Sequence, residues 1–396
     1  MFHKKVFTIL FLLNLLNYVD RQVLYAVFPL IQKDMQINDM QLGTLASVFI
    51  LVYMCYAPFV GYFADRTPRQ KWIGVSAVIW SIATLFCSQA KSFFSLLVSR
   101  GFIGIGEAGF TTIAQPFLAE HYPKNKRATL LAVFGLALPL GSALGYLLGG
   151  FAGQYWGWKN AFLLAGIPGI LLGIWAYLGL KDPRKTESVK TKWPRLSDYA
   201  GLLHNKAFVF ICLAQAMITF IIGGLSAWMP TYMHRYLHMS VAHAGTWFGI
   251  LVILGGALGT FTGGKIADYL LNFTPKAYFK LIAFSLLAFI IPAWAGLLCS
   301  VKELALFSFG LAITCLFLPT GPIAAALVGV TDEKIRSMAF AVNIFIIHAL
   351  GDALSPMLLG NVSDLFNLRF AVLCCTFMAF PALFFVNLAA RHYRAN

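Results

Sequence analysis

The sequence predicts an all-α polytopic membrane protein of the twelve-helix type, built as two pseudo-symmetric six-helix bundles. Three observations predict it. The first is composition: of 396 residues, 59% are hydrophobic and only 11% charged, and the mean hydropathy is +0.76, outside the range of chains that fold in water. The second is spacing. A membrane-crossing helix needs about 20 mostly apolar residues, and runs of that length recur along the whole chain, separated by short polar breaks. The third is an internal repeat. Leu42-Gly43-Thr44 is echoed by Ala244-Gly245-Thr246, the GYFAD ending at Asp65 by the GGKIAD ending at Asp268, and LGSALGYLLG from Leu140 by LGDALSPMLLG from Leu350. The echoes fall in the same order at nearly constant offset, as expected of two parallel halves related by an axis along the membrane normal.

Taken in order, the first half holds spans at 6–29, 41–64, 72–90, 93–119, 128–151 and 159–180. The first follows Lys4 and Lys5 as a leader peptide would, but it contains Asn14, Asn17, Asp20 and Arg21 and has no small-residue cleavage site, which predicts a retained helix. A polar stretch at 181–206, with Pro183, Pro194 and seven Lys or Arg, is the only long linker. The second half follows with spans at 207–232, 244–270, 278–299, 303–330, 337–360 and 369–390. The predicted domains are therefore an N-terminal bundle at 1–180, the linker at 181–206 and a C-terminal bundle at 207–396.

A net charge of +15 would suggest a nucleic-acid partner in a soluble chain, but here position outranks total. Lys4, Lys5, Arg66, Arg69, Lys71, Lys124, Lys126, Arg127, the linker cations, Lys265, Lys276, Lys280, Lys334, Arg336, Arg391 and Arg394 fall on one set of alternating connections. The other set holds only Lys33, Lys91, Lys159, Arg235, Lys302 and Arg369. Cytoplasmic loops collect Lys and Arg, so both termini are expected in the cytoplasm, with a bacterial inner membrane as the host. The seven cysteines lie mostly in apolar spans without CxxC spacing, and His234, His238 and His243 have no carboxylate or thiol near them in sequence. No metal, cofactor or nucleic acid is expected.

The connection between spans two and three reads Gly61-Tyr62-Phe63-Ala64-Asp65-Arg66-Thr67-Pro68-Arg69-Gln70-Lys71. It resembles the G-x-x-x-D-R-x-G-R-R/K signature loop of the major facilitator superfamily, with Pro68 and Gln70 as departures. Gly61 would allow close helix approach, and Asp65 can accept hydrogen bonds from arginines or a helix N-terminus. Gly61, Asp65, Arg66 and Arg69 thus form the expected gating latch. Small-residue stripes follow in span five (Gly141, Gly145, Gly149) and span eight (Gly255, Gly259, Gly263), at matched positions in the two halves, predicting close packing and a pivot. Pro139 beside the first stripe resembles a motif of antiporters and exporters. Pro319, Gly321 and Pro322 predict a broken tenth helix.

Ionisable residues inside spans carry the functional reading: Asp20 and Arg21 in the first, Arg100 and Glu107 in the fourth. Each costs about 2.5–3.5 kcal/mol at mid-membrane on insertion scales, so such residues face a cavity or one another. Asp20 and Glu107 are the candidate proton-coupling groups, and Arg21 and Arg100 the candidate substrate or charge-pairing groups. Arg100 and Glu107 are two turns apart, about 10 Å along one helix, so partners must come across helices. Asp20 at about 21 Å from one face and Arg100 at about 12 Å from the other share a depth in a core of about 30 Å, which predicts that they meet. His348 and Asp352, four apart, are a secondary polar site, competing with a reading as satisfied packing.

NYVDRQVLYAVFPLI in the first span, the signature loop, LLVSRGFIGIGEAGF in the fourth, ALPLGSALGYLLGG in the fifth, and WKNAFLLAGIPGILLG with LKDPRK in the sixth together resemble the Spinster family of the major facilitator superfamily. The first and fourth spans are also similar to those of organic-anion:cation symporters. The Spinster resemblance implies transport of sphingosine phosphate or lysophospholipids with proton coupling. It further implies that Asp20, Arg21, Arg100 and Glu107 form a polar cluster in the cavity, and that the latch works against the end of the eleventh span near Arg336. The expected function is an alternating-access, proton-coupled carrier, by symport or antiport, acting as a monomer on an amphipathic or anionic small molecule among membrane lipids. The alternative is an organic-anion or multidrug carrier. An enzyme is not expected, because no nucleophile and base are grouped.

Overall fold

The computed structural model describes residues 2–64, 66–182, 202–331 and 335–393. Asp65 of the signature loop and 183–201 of the expected linker lie outside the described residues. The helices that cross the membrane are, in chain order, α1 (Phe2–Ala26), α2 (Asp39–Ala64), α3 (Arg69–Gln89), α4 (Phe93–Glu120), α5 (Leu130–Trp156), α6 (Trp158–Gly179), α7 (Lys206–Tyr236), α8 (Val241–Leu271), α9 (Ala277–Leu298), α10 (Lys302–Val330), α11 (Met338–Leu365) and α12 (Leu368–His392). Eleven of them, α2 to α12, are long and apolar enough to span a bilayer on their own terms. The exception, α1, is the helix whose polar Asn14, Asn17, Asp20 and Arg21 dilute its apolar run, and it continues past Val27 as the helical segment Phe28–Met35.

The chain divides into two compact units, Met1–Thr191 with Met229–Gly249, and Lys192–Trp228 with Ile250–Asn396. In the first unit α4 packs against α2 and α3, α3 against α6, and α1 against α5. The register of α4, which carries two of the candidate residues, is set at its start. Ser92 Oγ accepts from Ser95 N at 3.3 Å while Ser92 N donates to Ser95 Oγ at 3.2 Å, a reciprocal cap that satisfies donors the first turn would leave unpaired. The segment Met229–Gly249 is held in this unit through Arg235, which donates to both Asp39 oxygens at 2.7 and 2.6 Å and to Gln32 Oε1 at 2.7 Å. In the second unit α9 packs against α10 and α12, and α11 against α12.

Both glycine stripes pack closely, each against its own partner. A Cβ on Gly141 would lie 2.5 Å from Leu15 O, one on Gly145 2.6 Å from Val19 O, and one on Gly149 2.9 Å from Val23 O, so α5 lies directly on the backbone of α1. Gly255, Gly259 and Gly263 instead bring α8 onto α10 at Ile313, Thr314 and Leu318. The two stripes therefore do not occupy matched positions, which corrects the expectation of a symmetric pivot. The eighth helix is the counterpart of the second, not of the fifth. Gly61 supplies a second correction. A Cβ there would meet Thr112 Cγ2 at 3.6 Å, ordinary contact, so close approach is not what that position requires.

As its prolines predict, α10 is interrupted, with Lys302–Phe317 and Thr320–Val330 separated at Leu318 and Pro319. A second interruption lies just before Pro356, which has no N–H to donate to Asp352 O. In α11 a π turn occupies His348–Asp352, with Gly351 at φ −102°, ψ −107°. Gly351 is pressed there against α7, where a Cβ would come within 2.9 Å of Thr219 Cβ.

Candidate transport site

The four charged residues singled out by their burial in apolar spans converge inside the first unit, on the inner faces of α1 and α4. Arg21 Nε donates to Glu107 Oε2 at 2.6 Å, with the Glu107 side chain fully buried. Arg100 Nη1 lies 3.9 Å from Asp20 Oδ1, and both side chains are buried. Neighbours in sequence thus face different partners, and each ion pair joins α1 to α4, with Asp20 within reach of Arg100.

The two pairs differ in kind. Arg21–Glu107 is a short, charge-assisted hydrogen bond. Arg100–Asp20 is an ion pair too long for a hydrogen bond. Arg100 Nε donates only a 3.4 Å bond to Leu45 O, while its Nη1 and Nη2, Asp20 Oδ1 and Glu107 Oε1 have no hydrogen-bond partner among the described residues. Both polar atoms of Asn17, one turn before Asp20, are likewise buried and unpaired. Buried polar groups are ordinarily satisfied, and their exceptions collect where function requires them.

Asp20 has a second neighbour that sequence reasoning missed. Thr84 Oγ1, on α3, lies within bonding reach of Asp20 Oδ2 and donates equally well to Trp80 O at 2.9 Å. A hydroxyl carries one hydrogen and two acceptor lone pairs. Thr84 can give its hydrogen to an ionised Asp20, or turn it to Trp80 O and accept from a protonated one. Aromatic rings complete the wall. The Arg21 guanidinium lies over Tyr18 and Tyr53, each at 5.3 Å, and over Phe49 at 4.9 Å, while Tyr53 Oη shares a 2.8 Å hydrogen bond with Thr111 Oγ1. Nothing in the sequence separates Thr84 or Phe49 from other polar or aromatic residues in spans; a polar β-branched residue opposite Asp20 is recognisable only once α1 and α3 are placed.

At the signature loop, Arg69 is the centre. Nearly buried at the start of α3, it donates from Nη1 to Glu120 Oε1 at 2.9 Å and from Nη2 to Glu120 Oε2. It also reaches Asp182 through its backbone N at 3.0 Å, Nε at 3.3 Å and Nη2 at 3.1 Å. It therefore ties the start of α3 to the end of α4 and the segment after α6. Arg66 folds back on its own helix, donating to Tyr62 O at 2.9 Å with its guanidinium over the Tyr62 ring. Arg336 opens the helical segment Arg336–Ile347.

In the second unit His348 Nδ1 lies 2.9 Å from Asp352 Oδ1 and 3.2 Å from Oδ2, so the two form the expected i, i+4 pair, within the π turn of α11. Asp352 in turn abuts α7, where a Cβ on Gly223 would meet Asp352 Cβ at 2.5 Å.

Comparison with known proteins fits this arrangement. Residues 10–347 match the family model of the Major Facilitator Superfamily. The chain is 32% identical over 376 residues to the sphingosine-1-phosphate transporter SPNS2 of Xenopus tropicalis, covering 89% of this chain and 72% of that protein. It is also 32% identical to protein spinster of Drosophila melanogaster over 90% of this chain, spanning 61% of the fly protein. The chain belongs to the Spinster family of the major facilitator superfamily. Among solved structures, a bacterial homolog of the human lysosomal transporter Spinster superposes with a TM-score of 0.89 at 23% identity, covering 99% of this chain and 98% of the other. A D-xylose–proton symporter gives 0.78 at 16% identity, covering 98% and 97%. This Spinster-family chain is thus an integral membrane transporter of a small molecule, not an enzyme, with the fold of its superfamily.

Proposed function

We propose that this Spinster-family transporter is a proton-coupled, alternating-access carrier of an amphipathic anion, such as a lysophospholipid or sphingoid phosphate. The observation that carries the reading is the presence of two carboxylates, Asp20 and Glu107, buried against two arginines within one six-helix unit. A carboxylate in this setting releases its arginine when it takes up a proton, because the neutral acid no longer balances the cation. The freed guanidinium then binds an anionic headgroup, and loss of the proton returns it to its carboxylate. Competition between the carboxylate and the anion for the same arginine makes proton uptake and anion binding favour one another, and this linkage couples their movements. The Thr84 hydroxyl, with an acceptor on either side, accommodates both states of Asp20.

Around this site the chain is organised as bundles at 1–180 and 207–396 joined by a cytoplasmic linker at 181–206, with Gly61, Asp65, Arg66 and Arg69 as the latch and His348 with Asp352 as a secondary polar site in the second bundle. In this reading the carrier works as a monomer. The Lys and Arg bias supports cytoplasmic termini, and short loops suit a bacterial inner membrane.

The substrate class is tested by thermal shift of the purified protein in detergent over lysophospholipids, sphingoid phosphates, small organic anions and cationic drugs. Stabilisation by the phosphate-bearing lipids is expected; stabilisation confined to organic anions or drugs would replace the lipid reading by the carrier reading it competes with. Coupling is tested with Asp20→Asn in proteoliposomes, using the stabilising ligand as cargo. Uptake driven by a pH gradient falls at least about tenfold while ligand binding persists. Unchanged proton-driven uptake would remove Asp20 from the coupling machinery.

A further inference from the structure

Phe49 sits midway along α2, its side chain 1% exposed, and it is the ring that both arginines of the cluster share. The guanidinium carbon of Arg21 lies 4.9 Å from its centroid and that of Arg100 5.0 Å. The π face of an aromatic ring attracts a guanidinium, and more so where water is excluded. The ring has little freedom to withdraw. On the facing helix a Cβ at Gly104 would come within 2.5 Å of Phe49 O and 3.1 Å of Tyr53 N, so α2 and α4 are in backbone contact at this level. One turn before Phe49, Leu45 O takes the hydrogen bond from Arg100 Nε; one turn after, the Tyr53 ring lies under Arg21. Thus α2 offers Arg100 and Arg21 separate seats, and Phe49 is where the seats adjoin.

Two cations held against one ring, each with its own carboxylate, could in principle exchange partners. Arg21 follows Asp20 on α1, and Arg100 precedes Glu107 by two turns on α4. An exchange would let a proton arriving at one carboxylate be offset by the other pair, and the two sites would titrate as one. We propose that Phe49 is a positioning residue that keeps the two ion pairs from exchanging partners, so that Arg100 stays with Asp20 and Arg21 with Glu107 as the carboxylates take up and lose protons. This deepens, and rests on, the proton-coupled reading above. The other titratable groups facing the cluster are Tyr18 on α1, Tyr53 on α2 and Cys87 on α3.

The test needs no substrate. Protonated carboxyl bands are followed by pH-difference infrared spectroscopy on the full-length protein in lipid, and assigned by their loss in Asp20→Asn and in Glu107→Gln. With Phe49 present, Asp20→Asn moves the midpoint of the Glu107 band only by the loss of one nearby charge. In the Phe49→Leu background the same substitution moves it by at least about one pH unit more, because Arg100 is then free to reach Glu107, and Phe49→Tyr, which keeps the ring, restores the smaller shift. Phe49→Met serves as a second ring-free variant if Phe49→Leu does not fold. Equal shifts with and without the ring overturn the role of Phe49 and leave the carboxylates as proton sites. If neither carboxyl band titrates between about pH 5 and pH 9 in the unmodified protein, the proton-coupled reading fails and the role of Phe49 with it.

Discussion

At the scale of single residues, the site is built from opposites forced together where water is scarce. Asp20 and Glu107 would each be costly alone in an apolar bundle, and so would Arg21 and Arg100. Paired, they cost less, but the Asp20–Arg100 pair is left under-bonded, with both Nη atoms and Oδ1 unpaired. Thr84 is the one side chain among the described residues that donates to Asp20. Replacing it by valine removes the hydroxyl with little change of shape, and a hydrogen bond to a charged group is worth about 1.5–3 kcal/mol. Proton-driven transport by Thr84→Val should therefore fall about tenfold, with Thr84→Ser recovering most of it, as measured by initial uptake rates in proteoliposomes. The four charges were legible in the sequence because a charge in an apolar run has few alternative explanations. Thr84 and Phe49 were not. Phe49 is one of 36 phenylalanines, and its distinction is what lies on its ring, which depends on how three helices meet.

At the scale of helices, close approach does much of the work, since lipid supplies no hydrophobic drive for one apolar helix to seek another. The α5 stripe is the clearest case, because it presses on α1 beside the charged residues: Gly145 meets Val19 O, the residue before Asp20. Gly145→Val would force α1 away at that level, and overpacking of this kind costs about 1–3 kcal/mol. The variant should unfold at a temperature several degrees lower in a detergent melt and lose transport. Gly264→Ala, where a Cβ meets nothing within 4 Å, should do neither. Helix positions were readable from hydropathy, and the break in α10 from Pro319, because both are local properties of the chain. The pairing of the stripes was not readable: four-residue spacing says that a helix has a smooth face, and is silent about which neighbour takes it. The latch shows the same limit. Its motif announced an arginine-rich turn, but Glu120 and Asp182, the partners of Arg69, stand 51 and 113 residues further along the chain.

At the scale of the whole molecule, the internal repeat and the charge bias are the informative signals, since both survive averaging over many residues. Family membership follows from similarity along most of the chain, while the orientation in the membrane rests on the lysines and arginines alone. A green fluorescent reporter joined after Asn396 should fluoresce in a bacterial host, and alkaline phosphatase joined at the same point should be inactive, because the former matures in the cytoplasm and the latter outside it. The reverse pattern would invert the topology. A single unit contains both ion pairs, the aromatic wall and the Thr84 hydroxyl, so the two halves of this internally repeated chain differ in chemistry.

The π turn of α11 adds something that neither composition nor charge expresses. A helix that seats one residue more than its regular winding allows advances all that follows by about 100°. Beyond Asp352 the helix is therefore out of phase with the stretch before it, and the buried face of Ser355, Leu359 and Ser363 belongs to a different angular register from that of Ala339 and Asn343. Here chain length itself is a structural specification. Deleting one residue between His348 and Asp352 would leave the hydropathy of the helix almost unchanged, yet it would turn its last turns to face the wrong neighbours.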